Sequence, residues 1–208
     1  MNGVVFDLDG TLIDSLADIA TAMNRSLASL GMPGHALDAY RGFVGDGARR
    51  LAERALPPGR ADLVDPVLDA YREVYREHAL DQTRPYPGIP ELLAKVRVPM
   101  AVVSNKPDAP TRQVVAALFP DVPFRWVAGH RSGLPLKPDP FPAREACEHM
   151  GVDPESCGFV GDTRIDVDTA RAAGMTPIGV AWGFRPDELR AAGVDILLDA
   201  PADLLRWL

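Results

Sequence analysis

Val4-Val5-Phe6-Asp7-Leu8-Asp9-Gly10-Thr11-Leu12-Ile13-Asp14-Ser15 is a short β-rich run that opens into an acidic turn. Its apolar start reads as a buried strand, and Gly10 allows the chain to turn after it. Beyond it, Asp14 and Ser15 can cap a helix. Leu16, Ile19, Ala20, Met23, Leu27 and Leu30 follow at helical spacing until Gly31 and Pro33 stop it. Helical patterns without strand alternation continue over residues 35–44, 46–56 and 61–78. Pro85, Pro87 and Pro90 then mark a change of regime. Met100-Ala101-Val102-Val103-Ser104 is an unbroken apolar run, as in a parallel strand covered on both faces. From there strands predicted at 124–128, 158–161, 177–181 and 196–198 alternate with helices at 89–96, 110–118, 141–150, 165–173, 186–192 and 202–208. The pattern predicts an α/β fold with an open parallel sheet, interrupted by an all-helical insertion.

Composition sets outer bounds. The chain has 208 residues, 47% apolar and 25% charged, enough for a core that needs no disulfide or structural metal. Its formal charge of −7, from 22 basic and 29 acidic residues, argues against sequence-independent nucleic-acid binding. An anionic substrate therefore requires positive charge supplied locally. Cys147 and Cys157 stand at no metal-ligand or redox spacing and read as reduced packing residues. No apolar run reaches transmembrane length, and the start of the chain lacks the basic region of a signal peptide. The expectation is a cytoplasmic protein acting as a monomer or homodimer, with neither a nucleic-acid nor a membrane partner.

Ligands of parallel α/β sheets bind at the carboxyl ends of the strands. Three predicted strands end in polar chemistry: at Asp7 to Thr11, at Ser104-Asn105-Lys106, and at Gly161-Asp162-Thr163. Asp7 and Asp9 are two apart, so an extended chain projects both to one side. Close carboxylates are kept together by a shared proton or by a cation, and Mg²⁺ is a hard ion that pairs oxygen ligands with substrate phosphate. An Asp-x-Asp-Gly stretch is by itself also a common solvated turn.

The run from Asp7 to Ser15 resembles the first signature of the haloacid dehalogenase superfamily. Ser104 at a strand end resembles the second, Lys137-Pro138-Asp139-Pro140 the third, and Gly161-Asp162-Thr163-Arg164-Ile165-Asp166 the fourth. The four occur in order over essentially the whole chain. The resemblance implies a Rossmann-like core domain (residues 1–13 and 85–208) and a helical cap domain of the C1 type (residues 14–84). It implies Mg²⁺-dependent hydrolysis of a small phosphorylated metabolite through an aspartyl phosphate. Asp7 is then the nucleophile, and Asp9 the general acid and later general base. Asp7, Asp162 and the backbone carbonyl of Asp9 are the expected metal contacts. Asp166 holds metal-bound water or orients Lys137. Lys137, Ser104, Thr11 and the amides of Leu8 and Asn105 are expected to bind phosphate. Asp168 faces elsewhere, and His35, His78, His130 and His149 have no partners at ligand spacing.

Val44-Gly45-Asp46-Gly47-Ala48-Arg49-Arg50 resembles the specificity loop of phosphoglycolate phosphatases, and Gly174 to Gly183 resembles the same subgroup. Gly45, Arg49 and Arg50 are thus candidate substrate contacts, with 2-phosphoglycolate the candidate substrate. A phosphomutase of the β-phosphoglucomutase kind would use the same signatures. A signalling receiver domain would gather similar residues, but with its phospho-acceptor on a later strand.

Overall fold

In the computed structural model, which describes residues 1–208, the unbroken apolar run of β1 (Gly3–Phe6) is buried along its whole length. After it come β2 (Ile13–Asp14), α1 (Leu16–Ser29), α2 (Tyr40–Phe43), α3 (Ala48–Ala55), α4 (Val64–His78) and β3 (Arg84–Pro85). The alternating half contains α5 (Ile89–Lys95), β4 (Met100–Pro107), α6 (Asp108–Leu118), β5 (Trp126–His130), α7 (Phe141–Met150) and β6 (Cys157–Gly161). It ends with α8 (Arg164–Ala173), β7 (Thr176–Val180), α9 (Pro186–Ala191) and β8 (Ile196–Leu198).

Six strands form one parallel sheet in the order β5-β4-β1-β6-β7-β8. β1 is bonded on one side to β4, with Val5 opposite Ala101, and on the other to β6, with Val5 opposite Phe159. The chain order reverses across β1, so the carboxyl ends of β1, β4 and β6 border one crevice. No helix is long and apolar enough to cross a membrane. Cys147 and Cys157 are free and buried.

β2 and β3 pair antiparallel, Ile13 opposite Pro85 and Asp14 opposite Arg84, and so tie together the two ends of the helical segment. Sequence patterning assigned this stretch to helix alone. Two paired residues carry no periodicity, so the ribbon left no signal. A second tie is Asp18 on α1, 2% exposed, whose carboxylate accepts from the amides of Gln82 and Thr83 and from the Thr83 hydroxyl. The helix expected at 35–44 is instead a 3₁₀ turn (Leu37–Ala39) followed by one turn of α2, where Gly42 weakens a longer helix. The terminal segment is likewise a 3₁₀ helix, Pro201–Arg206.

Candidate active site

Asp7 follows directly from β1, and its amide donates to Val160 O of β6 at 2.8 Å. The side chain is therefore fixed at the middle of the sheet's carboxyl edge. Lys137 Nζ donates to Asp7 Oδ1 at 2.6 Å and to Asp166 Oδ1 at 2.7 Å. Asp166 Oδ2 accepts from the amide and hydroxyl of Thr163, a capping box that opens α8 and fixes the carboxylate. Asn105 clamps the other side. Its carboxamide accepts from Lys137 N at 2.8 Å and donates to Lys137 O at 3.0 Å and to Gly45 O at 3.0 Å. One side chain thus joins the β4 terminus, the lysine loop and the helical insertion.

Asp162 is fully buried at the end of β6. Its Oδ2 accepts from Phe184 N at 2.8 Å, and Thr11 Oγ1 reaches Oδ1 only at 3.5 Å. Backbone closes tightly around it. A Cβ on Gly10, where φ is 89°, would lie 2.3 Å from Asp162 Oδ2, and one on Gly183 would lie 2.2 Å from Asp162 Cβ. Only glycine tolerates both positions.

One carboxylate oxygen from each of Asp7, Asp162 and Asp166 lies within 4.8 Å of the other two, and all three residues are buried. Lys137 is the one ammonium among them, and it does not touch Asp162. Burial pushes the Asp7 carboxyl up to about 7, with Lys137 opposing and Asp166 and Asp9 adding to the rise. Burial, then Asp166 and Asp7, hold Asp162 well above the usual carboxylate range. Burial would pull the Lys137 ammonium down, but Asp166 and Asp7 keep it above the ordinary lysine value. The cluster is short of positive charge and offers hard oxygen donors, which is the chemistry a divalent cation such as Mg²⁺ fits.

Asp9 stands outside this group of three but faces the same cavity as Asp7. Its Oδ1 accepts from Ser15 Oγ at 2.6 Å and from Lys106 Nζ at 2.7 Å, while Oδ2 carries no hydrogen bond. Ser15 does sit where α1 begins, but its hydroxyl serves Asp9 instead of capping the helix. Both aspartates line a cavity of about 580 Å³, counting its open mouth, between the sheet edge and the helical insertion.

Ser104, Asn105, Lys137, Asp166 and Gly45 line the same cavity. Leu8 and Thr11 do not: Leu8 O caps the tight turn by accepting from Thr11, Leu12 and Ile13, and the Thr11 hydroxyl faces Asp162. Arg49 and Arg50 do not either. Ala48 and Leu51 take the inward face of α3, which turns Arg49 out to an exposed ion pair with Asp65 and Arg50 to Glu53 at 2.7 Å. Asp168 pairs with Arg164 on the surface. Of the histidines, His35 bonds Ala55 O, His78 pairs with Asp81 and His149 stacks on Trp126. Sequence reasoning placed Lys106 at a ligand-binding strand end without giving it a role, and missed Tyr71 and Phe184 as cavity residues. For Lys106 the signal was its place in the polar run Ser104-Asn105-Lys106 at the carboxyl end of a strand.

Comparison with known proteins follows the same lines. The family model for haloacid dehalogenase-like hydrolases matches residues 4–180. A phosphoglycolate phosphatase of Pseudomonas putida is 39% identical over 191 residues, covering 87% of this chain and 70% of its own. One from Aquifex aeolicus is 34% identical over 213 residues, covering 99% and 96%. A crystal structure from Lactobacillus delbrueckii subsp. bulgaricus, provisionally named phosphoglycolate phosphatase, superposes with a TM-score of 0.91 at 30% identity, covering 98% of this chain and 96% of its own.

Proposed function

Because the chain belongs to the haloacid dehalogenase-like hydrolase family, we propose that it is a phosphoric monoester hydrolase that passes the phosphoryl group of a small metabolite to Asp7 and then to water, with 2-phosphoglycolate as its substrate. The observation that carries this reading is the pairing of Asp7 with Lys137 at 2.6 Å on the floor of a cavity roofed by the helical insertion.

An Asp7 carboxylate oxygen attacks phosphorus, the bond to the ester oxygen breaks, and Asp9 gives that oxygen its proton. Water then attacks the phosphorus of the Asp7 acyl phosphate while Asp9 takes its proton, releasing phosphate and restoring Asp7. The hydrogen bonds of Asp9 support this division of labour, because Ser15 and Lys106 hold Oδ1 and leave Oδ2 for proton transfer. Lys137 neutralises the non-bridging oxygens, and the Ser104 hydroxyl and the amide of Asn105 add donors. Asp7, Asp162 and the Asp9 carbonyl would hold Mg²⁺, which when bound favours the ionised form of Asp7 and offsets phosphoryl charge. Asp166 serves by orienting Lys137. Residues 14–84 act as a cap that excludes water, tied to the core by the Asn105–Gly45 bond. Two buried free thiols suit a reducing compartment, so the cytoplasm is the proposed location.

Asp7→Asn keeps the volume of the side chain and removes the nucleophile. Turnover of p-nitrophenyl phosphate is expected to fall by about 10³-fold or more, with the melting temperature maintained. Turnover within tenfold of wild type would remove Asp7 from its role. A phosphomutase would instead convert glucose 1-phosphate to glucose 6-phosphate faster than it releases phosphate.

A further inference from the structure

The cavity has two cationic lining residues, Lys137 and Lys106. Lys137 is committed between Asp7 and Asp166. Lys106 is 9% exposed and lies at the carboxyl end of β4, where Ser104 faces the same cavity. Its ammonium spends one donor on Asp9 at 2.7 Å and sits 4.8 Å from the centre of the Tyr75 ring, itself buried on α4. An ammonium has three donors, so Lys106 keeps capacity to bind a further anion on the cavity side.

The rest of the wall narrows the choice of ligand. The helical insertion contributes Ile19, Val44, Ala48, Leu51 and Tyr71, together with the backbone of Gly45 and Gly47. No charged or carboxamide side chain comes from it, since Arg49 and Arg50 are tied to Asp65 and Glu53 at the surface. Tyr71 offers the one polar side chain on this wall, so a polyhydroxylated sugar would bury most of its hydroxyls there without side-chain partners, a cost of about 1–3 kcal/mol for each. A small phosphorylated carboxylic acid has no such groups, and its one extra charge has one cation to meet.

Resting on the phosphatase reading above, we propose that Lys106 is the specificity-determining residue: it binds the second anionic group, a carboxylate, of a compact phosphorylated acid and so selects that class over neutral phosphomonoesters. Asp9 and the substrate carboxylate then share one ammonium, and the Tyr75 ring supports the cation from below.

The test compares kcat/KM for 2-phosphoglycolate with that for ethyl phosphate, which keeps the two-carbon ester and lacks the carboxylate. Glucose 6-phosphate is the third substrate. Wild type is expected to prefer 2-phosphoglycolate over both by about tenfold or more, the worth of one charged hydrogen bond. Lys106→Met is expected to reduce the 2-phosphoglycolate to ethyl phosphate ratio by about the same factor, chiefly through KM, and Lys106→Arg to retain most of it. Melting curves check that each variant is folded. A Lys106→Met variant that loses both activities equally, with the ratio unchanged, overturns the proposal and leaves Lys106 as a positioning partner of Asp9. A wild-type ratio near one overturns it without need of any variant, and leaves the phosphatase reading standing. Turnover of none of the three esters, nor of p-nitrophenyl phosphate, overturns that reading and this inference together.

Discussion

Lys137→Met is the perturbation that tests the charge arrangement of the site most directly. Methionine replaces the lysine stem at similar volume and deletes the ammonium. Two carboxylates are left behind, Asp7 and Asp166, whose Oδ1 atoms stood 2.6 and 2.7 Å from it, with side chains only 10% and 3% exposed. Removing one partner of a buried ion pair leaves an uncompensated charge and costs about 3–5 kcal/mol. In a chain of about this size each kcal/mol lowers the melting temperature by about 2–4 °C, so the metal-free variant is expected to melt about 6–20 °C below wild type at pH 8. The sign of the pH effect follows from the surviving carboxyls. Without Lys137 to pull it down, the Asp7 carboxyl rises further, and a proton neutralises it as the pH falls through its folded value. The deficit at pH 5 is therefore smaller than at pH 8. Differential scanning calorimetry of wild type and variant at both pH values, in chelator, measures it. A loss below about 2 °C at pH 8, or an equal loss at the two pH values, would refute the reasoning that this ammonium holds the buried carboxylates together. Turnover should also fall by about 10²–10³-fold, as for other losses of a donor aimed at developing charge.

The raised Asp7 value has its own consequence. The folded state holds a proton up to about 7 that the unfolded chain releases near 3.8, so the metal-free protein should lose stability as pH rises across that window. Added Mg²⁺ should oppose the loss and raise the melting temperature most at the alkaline end, and a thermal shift indifferent to Mg²⁺ at pH 8 would contradict the cation assignment. Far from the chemistry, Asp18→Ala removes the acceptor for Gln82 N, Thr83 N and Thr83 Oγ1, and should cost about 3 kcal/mol in urea unfolding, with little change in p-nitrophenyl phosphate turnover by the folded fraction.

Where burial alone decides structure, the sequence could be read almost residue by residue. The run at Met100–Ser104 lies inside a sheet covered on both faces, and that environment demands continuous apolar side chains. Misreadings arose where an apolar residue served some other contact. Phe124 suggested a strand starting at 124, but its ring packs edge-to-face on Phe119 at the end of α6, and β5 begins at Trp126. The β2–β3 ribbon is held by backbone pairing and by Asp18, and neither imposes a side-chain period.

The site divides along the same physical line. Asp7, Asp162 and Lys137 were named from the ordered set of signatures and not from any one of them, since an acidic turn or a lone lysine is by itself commonly solvated; burying the two carboxylates is what demands a cation beside them. Which arginine or lysine meets the substrate was not legible, because a cation's direction depends on which face of its element packs inward. Arg49 and Arg50 follow Ala48 on α3, and burial of Ala48 and Leu51 fixes them outward. Lys106 lies at the end of β4, where Ser104, Asn105 and Pro107 also border the cavity, and its ammonium ends beside Asp9. Parity along the strand does not settle which face it takes, because Asn105 and Pro107 line the cavity as well as Ser104 and Lys106: the end of β4 runs along the cavity. On a short helix of eight residues, the two positions beside an inward alanine are turned away by about 100° and 200°, which no change of rotamer recovers. The run of the β4 end along the cavity, and the outward turn of Arg49 and Arg50 to Asp65 and Glu53, are therefore what leave Lys106, and neither arginine, available to meet a second anion in the cavity.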